Sequence, residues 1–176
     1  FVSGNKFRKL KYNLLEAKNQ KKTVLLTFGG AFSNHILATA AAGFENGFKT
    51  IGVIRGDELV EKMNQNPTLK KASEFGMTFE FVTREEYRKK TSEEFIQKLT
   101  QKFGDFYLLP EGGTNDLAIK GCEEILNSDD LTYINVCCAV GTGGTISGVI
   151  NSTSNVQKVW GFPALKGSFL KEDIRK

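Results

Sequence analysis

Thr23-Val24-Leu25-Leu26-Thr27-Phe28-Gly29-Gly30-Ala31-Phe32-Ser33-Asn34-His35 is the stretch on which the fold turns. Its first six residues are uncharged and rich in apolar and β-branched side chains. Such a short run suits a strand buried on both faces. Gly29-Gly30 ends it. The alanine-rich segment that follows, through about Phe44, reads as a helix closed by Asn46-Gly47. A buried strand that runs straight into a helix is the building unit of a parallel sheet with covered faces.

Outward from this unit the alternation repeats. Lys49 to Ile54 reads as a second strand, Leu69 to Phe75 as the end of a helix stopped at Gly76, and Thr78 to Val82 as a third strand. Ser92-Glu93-Glu94 opens a helix through about Phe103, and Asp105 to Leu109 is a fourth strand. The connection over 55–70, with Pro67, is expected to hold a helix and a loop. Pro110-Glu111-Gly112-Gly113-Thr114-Asn115 then breaks the rhythm, as a boundary or crossover does. A helix over Asp116 to Leu126, a strand over Thr132 to Val140, another helix and a last strand over Val156 to Phe162 complete the pass. At the front, Ser3 caps a helix in which Phe7, Leu10 or Lys11, and Leu14 recur at helical spacing. Lys6 and Lys9, three apart, share one face of it. The fold class is α/β.

Composition narrows the function. The 176 residues are 40% hydrophobic and 25% charged, enough to bury a core. The net charge of +4, from 24 basic and 20 acidic residues, is spread along the chain. It forms no basic stripe interleaved with aromatics, so no nucleic acid is expected as partner. No apolar run approaches the roughly 20 residues of a membrane span, so no membrane is expected either. Three cysteines, two of them adjacent, make a poor disulfide framework and point to a reducing, cytoplasmic compartment. With His35 the only histidine and no Cys-x-x-Cys, no metal is expected. A chain that opens on Phe1 directly beside a dense motif is expected to be a fragment of a longer one.

Two glycine-rich turns carry the chemistry. Gly141-Thr142-Gly143-Gly144-Thr145 follows an apolar strand and opens a helix. Glycines let a ligand approach the backbone, and the first helical N–H groups favour an anion such as a phosphate. Thr142 and Thr145 add hydroxyl donors. The third glycine of a dinucleotide fingerprint is missing, because Ile146 stands there. A Walker A lysine is missing too, because Val149 follows Gly148. A phosphate-bearing cofactor of another kind fits better, although a plain tight turn has the same shape. Gly29-Gly30-Ala31-Phe32-Ser33-Asn34-His35 is the second such turn, and it suits a small anion such as a carboxylate. Ser33 also reads as a simple N-cap, and Asn34 and His35 as polar residues of a helix start. A serine hydrolase is disfavoured: there is no Gly-x-Ser-x-Gly elbow, and His35 lies only two positions from Ser33.

With Gly4-Asn5-Lys6-Phe7-Arg8-Lys9-Leu10 these two turns make three motifs in order. Together they resemble the tryptophan-synthase-β-like (fold type II) pyridoxal-phosphate enzymes. More narrowly they are similar to the branch containing 1-aminocyclopropane-1-carboxylate deaminase and D-cysteine desulfhydrase. Pro110 to Asn115 is similar to that branch as well. The resemblance implies two three-layer αβα domains with parallel sheets. Residues 12–112 would form the small domain, and 1–11 with 113–176 would form part of the large cofactor-binding domain. It implies pyridoxal 5'-phosphate as cofactor, a small amino-acid substrate and a homodimer. Lys6 would form the Schiff base with the cofactor, and Lys9 would help hold the phosphate. Asn34 would bond the ring hydroxyl. Gly141, Thr142, Gly143, Gly144 and Thr145 would form the phosphate cup. Ser33, with the backbone around Asn34 and His35, would hold the substrate carboxylate, and Ser33 would share in proton transfer or attack. The implied reaction releases ammonia and a 2-oxo acid. Related β-replacement enzymes and racemases are the nearest alternative, and a non-catalytic anion- or nucleotide-binding Rossmann-like module is the alternative of another class. Enzymes of the family run to about twice this length. The partner of the pyridine nitrogen is therefore expected outside the present sequence.

Overall fold

A computed structural model describes residues 2–164 and Ile174. In chain order the helices and strands are α1 (Gly4–Asn19), β1 (Val24–Gly29), α2 (Asn34–Asn46), β2 (Lys49–Arg55), α3 (Pro67–Glu74), β3 (Thr78–Val82), α4 (Arg84–Arg88), α5 (Glu93–Phe103), β4 (Tyr107–Leu109), α6 (Asp116–Cys122), β5 (Asn135–Val140), α7 (Gly144–Ser152) and β6 (Lys158–Pro163). They fall into two compact units. The first comprises Leu15–Glu111, and the second comprises Ser3–Leu14 and the chain from Gly112 onward. Residues 1, 165–173, 175 and 176 of the expected second domain lie outside the described residues.

The first unit is a three-layer sandwich around a four-stranded parallel sheet of order β3-β2-β1-β4. The alternation of side chains along the strands splits its core in two. On one face Leu26, Phe28, Ile51, Val53 and Val82 pack with Tyr87, Phe95 and Leu99 from α4 and α5. On the other, Ile54 and Met77 pack with Ile36 and Ala40 of α2 and Leu69 and Ala72 of α3. The chain moves outward from β1 through β2 to β3, then returns to place β4 on the far side of β1. The strand order thus reverses beside β1, and ligands of open α/β sheets bind at the carboxyl end of such a strand. The Gly29 to Asn34 turn lies there.

Local chemistry explains where the elements begin and end. Ser33 accepts the Ile36 N–H to start α2, and Gly47 closes it in the left-handed region. Asn66 caps α3, with Pro67 in the first turn, so the expected helix of the 55–70 connection begins there, after two 3₁₀ turns. A helix absent from the sequence reading, α4, is built on a capping box between Thr83 and Glu86. Several expected elements are trimmed: β4 begins at Tyr107 rather than Asp105, and β6 at Lys158 rather than Val156. The helix after Asn115 stops at Cys122, and β5 starts at Asn135 because Asn127 and Asp130 cap a 3₁₀ turn over Ser128–Thr132.

The second unit sets α1, α6 and α7 beside the two-stranded parallel pair β5-β6. Its small core holds Val140 and Ile146 with Cys138, Val159 and Ile174. α1 crosses α6 at Gly121, where a Cβ would lie 2.0 Å from the Arg8 carbonyl oxygen. Only glycine allows that approach. Two more ties join these helices. Asn115 caps α6 through the Ala118 N–H and exchanges two amide bonds with Asn13, at 3.1 and 2.8 Å. The Glu124 carboxylate takes bonds from Arg8 at 2.7 Å, Lys11 at 2.7 Å and the Tyr12 hydroxyl at 2.5 Å. These donors hold its carboxyl far below the usual range, at about 2, with Lys11 the largest contributor.

Candidate functional site

In the second unit, Lys6, Lys9, Gly141, Thr142, Gly143 and Thr145 line one cavity of about 60 Å³, together with Asn5 and Ile146. Helical spacing puts both lysines of α1 on the same side, as their positions three apart require. The β5–α7 turn supplies the opposite wall. The first backbone bond of α7 runs from the Ser147 N–H to the Gly143 carbonyl. The N–H groups ahead of Ser147 therefore have no acceptor within the helix, and they stand at the positive end of its dipole. Asn5 donates to the Thr145 hydroxyl at 3.0 Å and ties that residue to α1.

The two lysines differ. Lys6 is half-buried, and burial pushes its ammonium below the ordinary lysine value, against the pull of the Cys122 thiol. Lys9 is only 2% exposed. Burial first, and then the neighbouring charge of Lys6, push it down to about 8, while the thiols of Cys122 and Cys138 act in the opposite direction. Its ammonium donates to the Gly112 carbonyl at 3.0 Å, to Thr114 Oγ1 at 2.9 Å and to Thr142 Oγ1 at 3.3 Å. Gly144 does not line the cavity but sits against this cluster: a Cβ there would lie 3.2 Å from Lys9 Nζ.

An acceptor-only anion is the ligand this donor set fits. The wall offers two cationic amines, two threonine hydroxyls and a helix start, with no carboxylate among the lining residues. A phosphate group on a cofactor meets that description, and an amine with a lowered proton affinity beside it suits a cofactor aldehyde.

Ser33, Asn34 and His35 belong to the first unit and form a separate constellation. The Ser33 N–H donates to the Gly30 carbonyl at 3.0 Å, and Ser33 Oγ accepts from Ile36 at 3.3 Å. Asn34 is exposed at the first position of α2. His35 is 2% exposed, and its Nε2 lies 2.9 Å from Thr27 Oγ1. Thr27 has one hydroxyl proton, and the Leu109 carbonyl lies 3.0 Å away to receive it. The network therefore makes Nε2 the protonated ring nitrogen, donating to Thr27. The imidazole thus links the start of α2 to β1 and β4. Arg55, at the end of β2, places a cation beside the turn, with Nη2 3.9 Å from where a Gly30 Cβ would be.

Sequence reasoning had not assigned Asn5, Gly112, Thr114, Cys122 or Arg55 to a site. Asn5 and Thr114 stand inside motifs already singled out, so their neighbourhood was the available signal. Cys122 and Arg55 carried none.

The fold is that of the tryptophan-synthase-β-like, fold type II pyridoxal-phosphate enzymes. A crystal structure of a 1-aminocyclopropane-1-carboxylate deaminase homologue superposes with a TM-score of 0.77 at 24% identity, covering 99% of this chain and 55% of the other. Within that class, the chain is a homologue of the branch of 1-aminocyclopropane-1-carboxylate deaminase and D-cysteine desulfhydrase. A Thermotoga maritima protein, provisionally named a 1-aminocyclopropane-1-carboxylate deaminase, is 37% identical over 155 residues, covering 84% of this chain and 48% of its own length. The mitochondrial bifunctional D-cysteine desulfhydrase/1-aminocyclopropane-1-carboxylate deaminase of Arabidopsis thaliana is 32% identical over 165 residues, 84% of this chain and 41% of its own length. The chain spans about half the length of the curated relatives it matches. No protein-family model matches it. Among the described residues, no helix is long and apolar enough to cross a membrane.

Proposed function

We propose that this chain carries the reactive lysine and the phosphate cup of a pyridoxal-phosphate-dependent deaminase or desulfhydrase. Its substrate is a small amino acid, and its products are ammonia and a 2-oxo acid. The observation that carries the reading is the single cavity that Lys6 and Lys9 share with the Gly141 to Thr145 turn. Gly141, Thr142, Gly143, Gly144 and Thr145 would hold the cofactor phosphate, with Lys9 behind them. Lys6 would hold the cofactor at its aldehyde. When bound, the cofactor supplies an electron sink for the bonds at the substrate Cα. Lys6, with its proton affinity reduced by burial, takes and returns a proton there. By the family resemblance, Asn34 would serve the ring hydroxyl. Ser33 and the backbone of Asn34 and His35 serve the substrate carboxylate, and Ser33 takes part in proton transfer. Free thiols at Cys122, Cys137 and Cys138 support a cytoplasmic setting. The family resemblance supports a homodimer, which light scattering on the purified protein would test.

The experiment is spectroscopic first. Added pyridoxal phosphate should give the full chain a visible absorbance band, and Lys6→Ala should abolish it. Pyruvate from D-cysteine, set against 2-oxobutyrate from the cyclopropane amino acid, then distinguishes the two activities. A wild-type chain without the band refutes the reading. A band without either product points instead to β-replacement.

A further inference from the structure

Lys9 has three ammonium protons, and three protein acceptors take them: the Gly112 carbonyl, Thr114 Oγ1 and Thr142 Oγ1. Both threonine oxygens thus accept from the same cation. The two hydroxyls also lie 2.6 Å apart, so one of their two protons is spent on the bond between them. One hydroxyl proton is left. Thr142 is exposed and lines the cavity, whereas Thr114 is half-buried and is not among its lining residues. The remaining proton reaches an anion only if Thr114 donates to Thr142 and Thr142 donates outward.

We propose that Thr114 is a positioning residue of the anion cup: it orients the Thr142 hydroxyl toward the cavity and relays the charge of Lys9 to a ligand that Thr114 never touches. The ligand class is a phosphate monoester, and the proposal rests on the reading of the cavity given above. Two glycines make the relay sterically possible. A Cβ on Gly112 would lie 2.7 Å from Thr142 Oγ1, and one on Gly144 would lie 2.8 Å from Thr114 Cγ2. A side chain at either position would push the hydroxyls apart. The pair is polarised by the ammonium it shares, since both hydroxyl oxygens accept from Lys9.

The test is binding, with turnover left out. Pyridoxal phosphate and pyridoxal differ only in the phosphate, so the ratio of their affinities isolates the cup. Thr114→Val, which removes the hydroxyl at nearly constant volume, should cut that ratio about tenfold, the effect of one charge-assisted bond. Thr114→Ser should restore it. A relay works in series, so Thr114→Val with Thr142→Val should lose no more than Thr142→Val alone. If Thr114→Val does not fold, as judged by circular dichroism, Thr114→Ala replaces it in both comparisons. An unchanged ratio, an equal loss of both ligands, or additive losses in the double variant each overturn the proposal. A wild-type chain that does not prefer the phosphorylated ligand overturns the cavity reading itself.

Discussion

Replacing Thr27 by valine should cost the first unit about 3 kcal/mol, because it takes a hydrogen bond from each of two buried partners at once. Thr27 is 0% exposed. Its hydroxyl accepts from His35 Nε2 at 2.9 Å and donates to the Leu109 carbonyl at 3.0 Å. Valine keeps the shape and removes both functions, so the packing term is small. Each buried partner that loses such a bond costs about 1–3 kcal/mol. For a chain of this size, a loss of about 3 kcal/mol lowers the melting midpoint by about 6–12 °C. Thermal melting gives the total. Amide hydrogen exchange in β1 and β4 assigns it to this unit, since Thr27 sits opposite Leu109 in the pair. His35→Leu supplies the control. With both side chains apolar, neither end of the His35–Thr27 bond remains, so the double variant should lose less than the sum of the singles by about 1–2 kcal/mol. A Thr27→Val protein within about 0.5 kcal/mol of wild type would refute the network. A cycle additive to within about 0.5 kcal/mol would refute the His35 link specifically.

Glu124 predicts an acid effect. Its carboxyl sits at about 2 in the folded protein, against roughly 4.3 when unfolded. A depressed carboxyl stabilises above the unfolded value and loses that contribution as the pH falls through the folded one. Glu124→Gln should therefore melt earlier than wild type at pH 7, with the gap shrinking from about pH 4.5 down towards pH 2; a gap as wide at pH 2 as at pH 7 would refute the assignment. Gly121→Ala should destabilise the second unit by about 1–3 kcal/mol or more in chemical denaturation, because the new methyl meets the backbone oxygen of Arg8 rather than a movable side chain.

Which elements exist was legible in the sequence because each was announced locally. β1 is a run of apolar and β-branched residues, Ser92 caps α5 just before Glu93-Glu94, and Gly76 stops the turn after α3. α4 went unread because it has five residues, too short for a periodic pattern to show. The reading of β5 as starting at Thr132 failed for a related reason. Apolar content marks a strand's middle, whereas a cap such as Asn127 with Asp130 decides where the chain can become extended.

The candidate site divides the same way. Sequence alone determined the two glycine turns, the helix that carries Lys6 and Lys9, and the resemblance those motifs bear in order. Spacing is enough for this, because residues three apart on a helix share a face whatever surrounds them. Only the tertiary structure decided that Lys9 would be buried against Gly112, Thr114 and Thr142, residues more than a hundred positions away. Only it turned His35 inward to Thr27, and only the strand order β3-β2-β1-β4 put the reversal beside β1. Hydrogen-bond partners distant in sequence leave no local pattern. A donor's chemistry can be read from its side chain, but which acceptor uses it is settled by folding.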